Sequence, residues 1–264
     1  MKKRLFYLTL LVVMASCSQV LITGRKQLSL VSDTEILSMS LQSYQQFIDS
    51  VPLSTDRTNT ALVKKTGAGI SAAVERYLKA NGQEAELQNF SWEFSLVKDT
   101  SVNAFCMPGG KVVFFEGILP MTKTEAGIAV VMGHEIAHAV AKHSNERLSQ
   151  QMALSYGASL TEILLSQKSE ATRAGIQTLY GLGSQLGVIL PYSRKHEYEA
   201  DRLGLIFMAM AGYNPNEAVA FWERMSASSS GSVAEFMSTH PSNANRIANM
   251  KKVLPEAMTY YQAK

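Results

Sequence analysis

Apolar residues recur along most of this chain at the three- and four-residue spacing of amphipathic helices. Ser32 and Glu35 fit a capping box at the start of one such stretch, and Thr122 and Glu125 fit one at the start of another. A run rich in serine and glycine, 226–232, predicts a loop. The predicted helical stretches are 32–49, 59–80, 122–142, 146–167, 171–189, 193–211, 215–227 and 243–253.

The hydrophobic period changes to two between the second and third helical stretches. Residues 102–106 and 111–115 flank Pro108-Gly109-Gly110, which predicts two strands joined by a turn. The pattern therefore favours an α+β fold that is mostly helical and contains a small β-sheet. A further strand with one buried face is predicted just before them, from the alternation of Phe90, Trp92, Phe94 and Leu96.

The first residues have the pattern of an export signal. A basic start at residues 2–4 precedes an apolar run, 5–14, which is too short to cross a bilayer as a helix. Met14-Ala15-Ser16-Cys17 resembles the lipobox of bacterial lipoproteins, in which the signal is removed and the cysteine is acylated. We therefore expect a signal peptide at 1–16, a tether at 17–31 and one catalytic domain at 32–264. The alternative is an ordinary secretory signal with an incidental cysteine.

Composition narrows the classes of partner. The chain is 46% hydrophobic and 18% charged, which is enough apolar material for a sizeable core. Its formal charge of +3 is matched by the basic residues Lys2, Lys3 and Arg4, so the exported part is close to neutral. This balance gives no electrostatic reason to expect nucleic acid as a partner. Cys106 is the only other cysteine, so acylation of Cys17 would exclude an internal disulfide.

The segment His134-Glu135-Ile136-Ala137-His138 carries the strongest chemical signal. On a helix, residues four apart share a face, so both imidazoles can converge on one ion. Glu135 points one position further round, where it can reach a water molecule on the metal as a general base. Catalytic zinc needs three protein ligands and an open position. The alternative, two histidines with ordinary packing roles beside a surface glutamate, would be costly in such apolar surroundings.

A third ligand is expected on a separate helix, within Glu197-Tyr198-Glu199-Ala200-Asp201. Glu197 and Asp201 share a face, so Glu197 can bind the metal while Asp201 accepts the outer N–H of a ligand histidine. Glu199 points about 200° away round the helix, so we expect Glu199→Ala to affect the metal only mildly. The alternative is an exposed acidic stretch. His143 is expected to pack or to lie at a helix end, and His196 is expected to point away from the metal.

These motifs resemble the gluzincin family that contains the HtpX heat-shock proteases, the CAAX prenyl proteases and the mitochondrial overlapping-activity protease, peptidase family M48. The resemblance covers roughly residues 20–254, in the soluble exported branch. It implies a zincin-like metallopeptidase fold, with a small β-sheet bordering the active-site helix, and one zinc ion per chain. Cys106 departs from the pattern, which usually has a small or apolar residue there. The matching stretches are 102–105, 108–110, 134–138, 193–201, His240-Pro241 with Thr239, and Arg246-Ile247.

The resemblance and the motifs together suggest a zinc-dependent endopeptidase of the bacterial cell envelope that cleaves unfolded or misassembled proteins. Asp201 and Arg246 are expected behind the ligands. A peptide is expected to lie along the edge of the strand at 111–115, with main-chain contacts from a set of residues around its turn: Asn103, Gly109, Gly110 and Lys111. One alternative is an envelope chaperone or assembly factor whose zinc site is mainly latent. A lipid-anchored structural protein with an inactive site is the other.

His240 has three possible roles. It could donate a hydrogen bond to the oxyanion of the reaction. It could instead occupy the open position of the zinc ion and keep the enzyme latent, as the resemblance to periplasmic relatives suggests. Finally, it could be a helix-capping residue bonded to the backbone. We favour the latent arrangement slightly, because a serine-rich segment precedes a possible fourth ligand.

Overall fold

The computed structural model of the chain describes residues 17–20, 22–166, 170, 173–174, 176–177, 190–228, 231–240 and 244–263. The predicted signal peptide at 1–16, most of the predicted helix at 171–189, and Pro241 lie outside the described residues.

The described residues form nine α-helices and five β-strands, so the predicted mostly helical α+β class is confirmed. Two short 3-10 helices, Glu84–Asn89 and Glu116–Ile118, join neighbouring elements. The strands are β1 Cys17–Gln19, β2 Lys26–Leu28, β3 Glu93–Val97, β4 Ala104–Met107 and β5 Lys111–Phe115. The helices are α1 Asp33–Ser50, α2 Arg57–Ala80, α3 Leu119–Thr122, α4 Glu125–Val140, α5 His143–Leu165, α6 Leu190–Met210, α7 Asn216–Ala227, α8 Gly231–Thr239 and α9 Ala244–Met258.

The helix starts follow capping chemistry, with one error in our prediction. Ser32 caps α1 as expected, since its hydroxyl accepts a hydrogen bond from the Glu35 amide. The cap predicted at Thr122 is wrong: Thr124 caps α4 instead, and its hydroxyl accepts from the Gly127 amide. Lys123 separates the two helices with a φ of 63°, so Thr122 ends α3 and cannot begin α4.

The predicted loop at 226–232 is only partly correct. Residues 226 and 227 still belong to α7, and α8 begins at Gly231. Composition pointed to a loop because serine and glycine favour turns. The helix forms here because Val233 and Phe236, which lie three positions apart on α8, are both buried in the core.

The sheet has the strand order β3-β5-β4. The predicted turn joins β4 to β5 as an antiparallel pair, and β3 runs parallel to β5 on its other side. β5 is therefore the central strand, and all five of its residues are buried. The expectation that a peptide binds along the edge of residues 111–115 is wrong, because both edges of β5 are already hydrogen-bonded. The outer edge of β4 has no strand partner among the described residues.

The N-terminal segment that we expected to be a tether is folded against the domain. β1 and β2 form an antiparallel hairpin in which Cys17 pairs with Leu28. The Leu30 amide donates to the Ser149 hydroxyl of α5 at 2.9 Å, which fixes the end of this segment on the domain. We refer to residues 17–28 as the N-terminal hairpin.

Two helices, α4 and α6, cross at the centre of the molecule and carry the candidate ligands. Their backbones are in close contact at Gly133 and Gly204: a Cβ atom added to Gly133 would lie 2.8 Å from the Gly204 carbonyl oxygen. One added to Gly204 would lie 2.9 Å from the Gly133 carbonyl carbon. Backbone therefore packs directly on backbone, one residue before His134. Within the described part of the chain, no helix combines the length and the apolar character needed to cross a membrane.

Candidate metal centre

Four side chains from three separate parts of the fold converge on one point. α4 supplies His134 and His138, α6 supplies Glu197, and His240 follows directly after α8. One ligand atom from each side chain lies within 4.8 Å of all the others. We call these four residues the metal cluster. The structure thus brings together the three predicted ligands and His240, which the sequence argument had left with three possible roles.

Five of the distances between donor atoms in the metal cluster are short and nearly equal. The Nε2 atoms of His134 and His138 are 3.2 Å apart, and His138 Nε2 lies 3.2 Å from Glu197 Oε1. His134 Nε2 lies 3.3 Å from Glu197 Oε2. His240 Nδ1 is 3.3 Å from both His134 Nε2 and Glu197 Oε2. The four residues therefore present three ring nitrogens and a carboxylate to one shared position.

The remaining ring nitrogens of the two α4 histidines are held by side chains behind them. His134 Nδ1 lies 3.1 Å from Asp201 Oδ1, and His138 Nδ1 lies 2.8 Å from His143 Nδ1. Burial lowers the pKa of His138 to about 3, which keeps its ring neutral. Burial also opposes charge on His134, but hydrogen bonds to Asp201 and Glu197 outweigh it and raise its pKa to about 9.

Asp201 and Arg246 form a buried ion pair behind His134, in the region where both were expected. Arg246 donates from Nε and Nη2 to the two oxygens of Asp201, each at 2.7 Å. Its Nη1 lies 2.9 Å from Glu197 Oε2, and its guanidinium stacks 3.8 Å above the Trp222 ring. Burial would raise the pKa of Asp201, but the Arg246 charge and hydrogen bonds lower it. Arg246 therefore orients both carboxylates of α6 that face the cluster.

Glu135 is buried beside the metal cluster without contributing a ligand atom to it. Its Oε1 atom has no hydrogen-bond partner among the described residues and lies 3.6 Å from His240 Nε2. Cys106 of β4 is also buried, and burial together with the Glu135 charge raises the pKa of its thiol well above the usual range. Glu135 thus holds a buried acceptor oxygen, without a hydrogen bond among the described residues, beside His240 of the cluster.

The ring and the backbone of His240 are both held by neighbouring residues. Its ring stacks on Phe236 at a centroid distance of 5.0 Å, and its amide donates to the Phe236 carbonyl at 3.1 Å. Arg246 Nη1 donates to the His240 carbonyl at 3.2 Å. Since Nδ1 faces the cluster and Nε2 faces Glu135, the ring does not serve as a backbone cap.

A second group of buried polar side chains lies next to the metal cluster. The rings of His143 and His196 are stacked at 4.2 Å, and each bonds a carboxylate: His143 Nε2 donates to Glu199 at 2.9 Å and His196 Nε2 donates to Glu146 at 2.8 Å. Arg25 binds both carboxylates, with donors 2.7 and 3.0 Å from Glu146 and 2.9 Å from Glu199. We call these five residues the Arg25 cluster.

The Arg25 cluster changes how Glu199 is understood. Its side chain points away from the metal cluster, as the helix geometry predicts, but it is buried and receives hydrogen bonds from Thr23, Arg25 and His143. Burial would raise its pKa, but these bonds lower the pKa to about 2. The sequence argument missed Arg25, which it placed in a tether, and Glu146. No motif marks either residue, since their contact joins positions 121 apart.

Most of the residues predicted to bind a peptide already form hydrogen bonds within the chain. Lys111 is buried, and its Nζ donates to the Ser91 carbonyl at 2.7 Å. Gly109 and Gly110 form the turn before β5, where their carbonyls accept from the Ser91 and Glu93 amides. These three residues therefore bond within the chain. Asn103 stands just before β4, whose outer edge has no strand partner among the described residues.

Comparison with known proteins places the chain among metallopeptidases. The family model for peptidase family M48 matches residues 65–254, well over half of the chain. Mitochondrial metalloendopeptidase OMA1 of Schizosaccharomyces pombe is 39% identical over 190 residues, which cover 71% of this chain and 53% of that protein. Metalloendopeptidase OMA1 of Homo sapiens is 26% identical over 245 residues, 90% of this chain and 46% of that protein.

A bacterial relative matches as well. The Beta-barrel assembly-enhancing protease of Escherichia coli K12 is 30% identical over 167 residues, which cover 61% of this chain and 34% of that protein. The chain spans about half the length of the OMA1 relatives and about a third of the bacterial one. The matched region contains the whole metal cluster together with Glu135, Asp201 and Arg246. This chain therefore belongs to peptidase family M48, as its motifs predicted.

Proposed function

We propose that this protein is a zinc-dependent endopeptidase in which His134, His138 and Glu197 hold the metal and Glu135 is the general base. The observation that carries the proposal is the convergence of the cluster's donor atoms beside the unpaired Oε1 of Glu135. A purely structural metal site has no use for a buried carboxylate that is not a ligand and has one oxygen without a hydrogen bond.

The donor set supports zinc as the metal. Imidazole nitrogen with carboxylate oxygen is a common zinc ligand combination, and zinc sites are usually tetrahedral. Donors about 2.0–2.1 Å from a tetrahedral centre are separated from one another by about 3.3 Å. The five separations between 3.2 and 3.3 Å agree with this geometry.

The chain's own residues supply the rest of the chemistry. When bound, zinc lowers the pKa of water and polarises a carbonyl group. Glu135 accepts the proton of the attacking water through its unpaired oxygen and then delivers it to the leaving amine. Asp201 and Arg246 hold His134 and Glu197 in position throughout, because both are buried and paired with each other.

His240 is proposed to be the latch rather than the oxyanion donor. Its Nδ1 atom lies as close to Glu197 and His134 as those residues lie to each other, so it completes a set of four ligands. A zinc site closed by four protein ligands is typical of a resting or structural state, since catalysis needs an open position. His240 must then move away before a substrate carbonyl can enter.

The proposed peptide-binding edge is that of β4, next to Asn103, and no longer that of β5. β4 packs against α4, the helix that carries Glu135. An extended peptide can pair with such an edge through main-chain hydrogen bonds, with weak dependence on its side chains. This weak selectivity suits a protease that acts on unfolded or misassembled proteins.

We place the protein in the bacterial cell envelope, with acyl chains on Cys17 as its membrane anchor and its domain facing the periplasm. The lipobox-like residues 14–17 support this, as does the likeness to a bacterial protease named for the assembly of β-barrels. Several acyl chains anchor a protein stably, whereas a single chain does so only marginally. We do not propose a nucleic acid as a partner.

The second candidate function is an envelope chaperone or assembly factor whose zinc site is mainly latent. The position of His240 within the metal cluster favours this alternative, because a permanently closed site would not hydrolyse peptides. The two functions differ in what Glu135 contributes. In an enzyme Glu135 is essential, while in a latent site its removal should change little.

Digestion of casein or a quenched peptide by the purified chain, with and without a chelator, tests the proposal. Glu135→Gln keeps the ligands and removes the base, so it should retain zinc and lose about 10²–10⁴ of the hydrolysis rate. Zinc content is measured in parallel to show that the site is intact. Hydrolysis by Glu135→Gln at the wild-type rate would refute the enzyme mechanism.

A further inference from the structure

The N-terminal hairpin is linked to the metal cluster by a continuous line of hydrogen bonds. Arg25, in the connection between β1 and β2, donates from Nε to Glu199 Oε2 at 2.9 Å. His143 Nε2 lies 2.9 Å from the same oxygen, and His143 Nδ1 lies 2.8 Å from His138 Nδ1. Arg25 is therefore three contacts away from a proposed zinc ligand, although 113 positions separate Arg25 from His138 in sequence.

The direction of each hydrogen bond in this line is determined by Glu199. A carboxylate only accepts, so His143 Nε2 must be the donor to it. The other nitrogen of a neutral His143 is then an acceptor, and His138 Nδ1 donates to it. This assignment leaves the lone pair of His138 on Nε2, the atom that faces Glu197 and His134.

Arg25 also holds His143 from a second side. Its Nη atoms bind both oxygens of Glu146, which in turn accepts from His196, and the His196 ring stacks on His143. Without the guanidinium, two carboxylates would face each other in a buried place with no cation between them. Glu199 would then gain freedom to turn away from His143.

We propose that Arg25 of the N-terminal hairpin is a positioning residue for the zinc ligand His138, acting through Glu199 and His143. The inference rests on the proposed function, in which His138 binds zinc. The N-terminal hairpin, which begins at the proposed anchor Cys17, is then part of the metal centre and affects how firmly the ion is held.

The test compares zinc release from the full chain in wild type and Arg25→Gln. Each protein is loaded with one equivalent of zinc, and the release rate is followed with a chromophoric chelator. Loss of a group that orients a ligand typically weakens metal binding 10- to 100-fold, so release should accelerate about tenfold. The visible spectrum of the cobalt-substituted protein should also change, because the orientation of the His138 ring alters the ligand field.

Arg202→Gln is the matched control. Arg202 lies on α6 and makes a similar two-donor ion pair, to Glu256, at 2.6 and 2.8 Å. It reports the general cost of losing such a pair, and its zinc release and cobalt spectrum should stay at wild-type values. Equal release rates for Arg25→Gln, Arg202→Gln and wild type would overturn the inference, as would equal acceleration in the two variants.

If Arg25→Gln does not fold, two conservative lysine variants provide the same comparison. Arg25→Lys keeps the charge but loses the planar fork that spans Glu146 and Glu199, so it should release zinc faster than Arg202→Lys. Identical rates for the two lysine variants would also overturn the inference. If wild type itself binds no zinc, the proposed function fails. If wild type binds zinc and Arg25 has no effect, only the positioning role fails.

Discussion

The metal cluster and the Arg25 cluster lie side by side, and both combine histidines with glutamates, but only the second contains an arginine. In the Arg25 cluster each imidazole donates to a carboxylate, and one arginine bridges the two carboxylates. Each ring and each carboxylate there has a partner of opposite character. In the metal cluster the atoms that face one another include Nε2 of His138, Oε1 of Glu197 and Nδ1 of His240.

The difference identifies which group of histidines needs an ion. Beyond the outward contacts of His134 with Asp201 and of His138 with His143, three ring nitrogens and the Glu197 carboxylate converge on one another. Converging nitrogen and carboxylate donors of this kind suit a metal cation, whereas the carboxylates of the Arg25 cluster are already bridged by an arginine of the chain. Counting histidines would not separate the two clusters, whereas the direction of their hydrogen bonds does.

The largest effect on zinc binding should appear when one glutamate of each cluster is replaced by alanine and the two variants are compared. Glu197→Ala removes a proposed ligand and should weaken zinc binding by more than about 100-fold, beyond the range for supporting residues. Glu146→Ala should leave zinc binding within a few-fold of wild type but lower the free energy of unfolding by about 2–3 kcal/mol, because it removes the buried carboxylate that both His196 and Arg25 bind. Zinc titration and urea unfolding of both variants measure this. Equal zinc loss in the two would erase the distinction between the clusters.

The next effect concerns the outward hydrogen bond of His134. Asp201→Asn keeps the shape of the side chain but removes the charge that Arg246 and His134 share. We expect zinc affinity to fall about 10- to 100-fold, less than for loss of Glu197. Competition with a chelator of known affinity gives the value. Wild-type affinity in Asp201→Asn would mean that His134 needs no support from α6.

A smaller effect should appear in the dependence of stability on pH. The pKa of Glu199 is about 2 in the folded chain, below its ordinary value of 4.5. The stability that the ionised carboxylate contributes is therefore fully present above the ordinary pKa and is lost as the pH falls through the pKa of the folded state. Near neutrality, the free energy of unfolding of metal-free wild type should exceed that of metal-free Glu199→Gln by about 1–2 kcal/mol. This difference should narrow between about pH 4.5 and 2.

Urea unfolding of the metal-free proteins across that range measures the gap. Glu256→Gln is its control, since Glu256 also pairs with an arginine but is partly exposed, and its gap should be smaller. A gap for Glu199→Gln that is unchanged down to pH 2 would show that the Arg25 cluster does not contribute through the Glu199 charge.

The smallest effect should come from His240. As a latch, it competes with substrate for one position, so His240→Ala should raise basal peptide hydrolysis up to about tenfold while zinc stays bound. An oxyanion donor would give the opposite sign, a loss of about 100-fold or more. Peptide hydrolysis and zinc content measured together decide between them. Unchanged values for both would return His240 to a structural role.

Local patterns were sufficient to predict most elements and the position of the metal cluster. Strand β5 has the bounds that the sequence predicted, and the helical spacing of His134 and His138 places both rings on one side of α4. The register of α6 places Glu197 in the metal cluster and Glu199 outside it, because rotation per residue is a property of the helix itself. These are short-range consequences of backbone geometry.

Long-range pairing was not predictable in the same way. The turn at 108–110 joins β4 and β5, but nothing in the sequence indicates that β3 covers the other side of β5, so the expected peptide edge was wrong. Arg25 likewise meets Glu146 across 121 positions, and a lone arginine in a polar segment carries no signal of such a contact. The helix α8 forms because its apolar residues are buried, despite a composition that favours a loop.

The contact of Gly133 with Gly204 has a consequence for how the family varies over evolutionary time. The side chain at these two positions is restricted by the distance between two backbones, and neither glycine takes part in the proposed reaction. Selection for catalysis and selection for this crossing are therefore separable. In a descendant that had lost its base or a ligand and survived as a binding protein, we expect both glycines to persist, because α4 and α6 would still have to meet there.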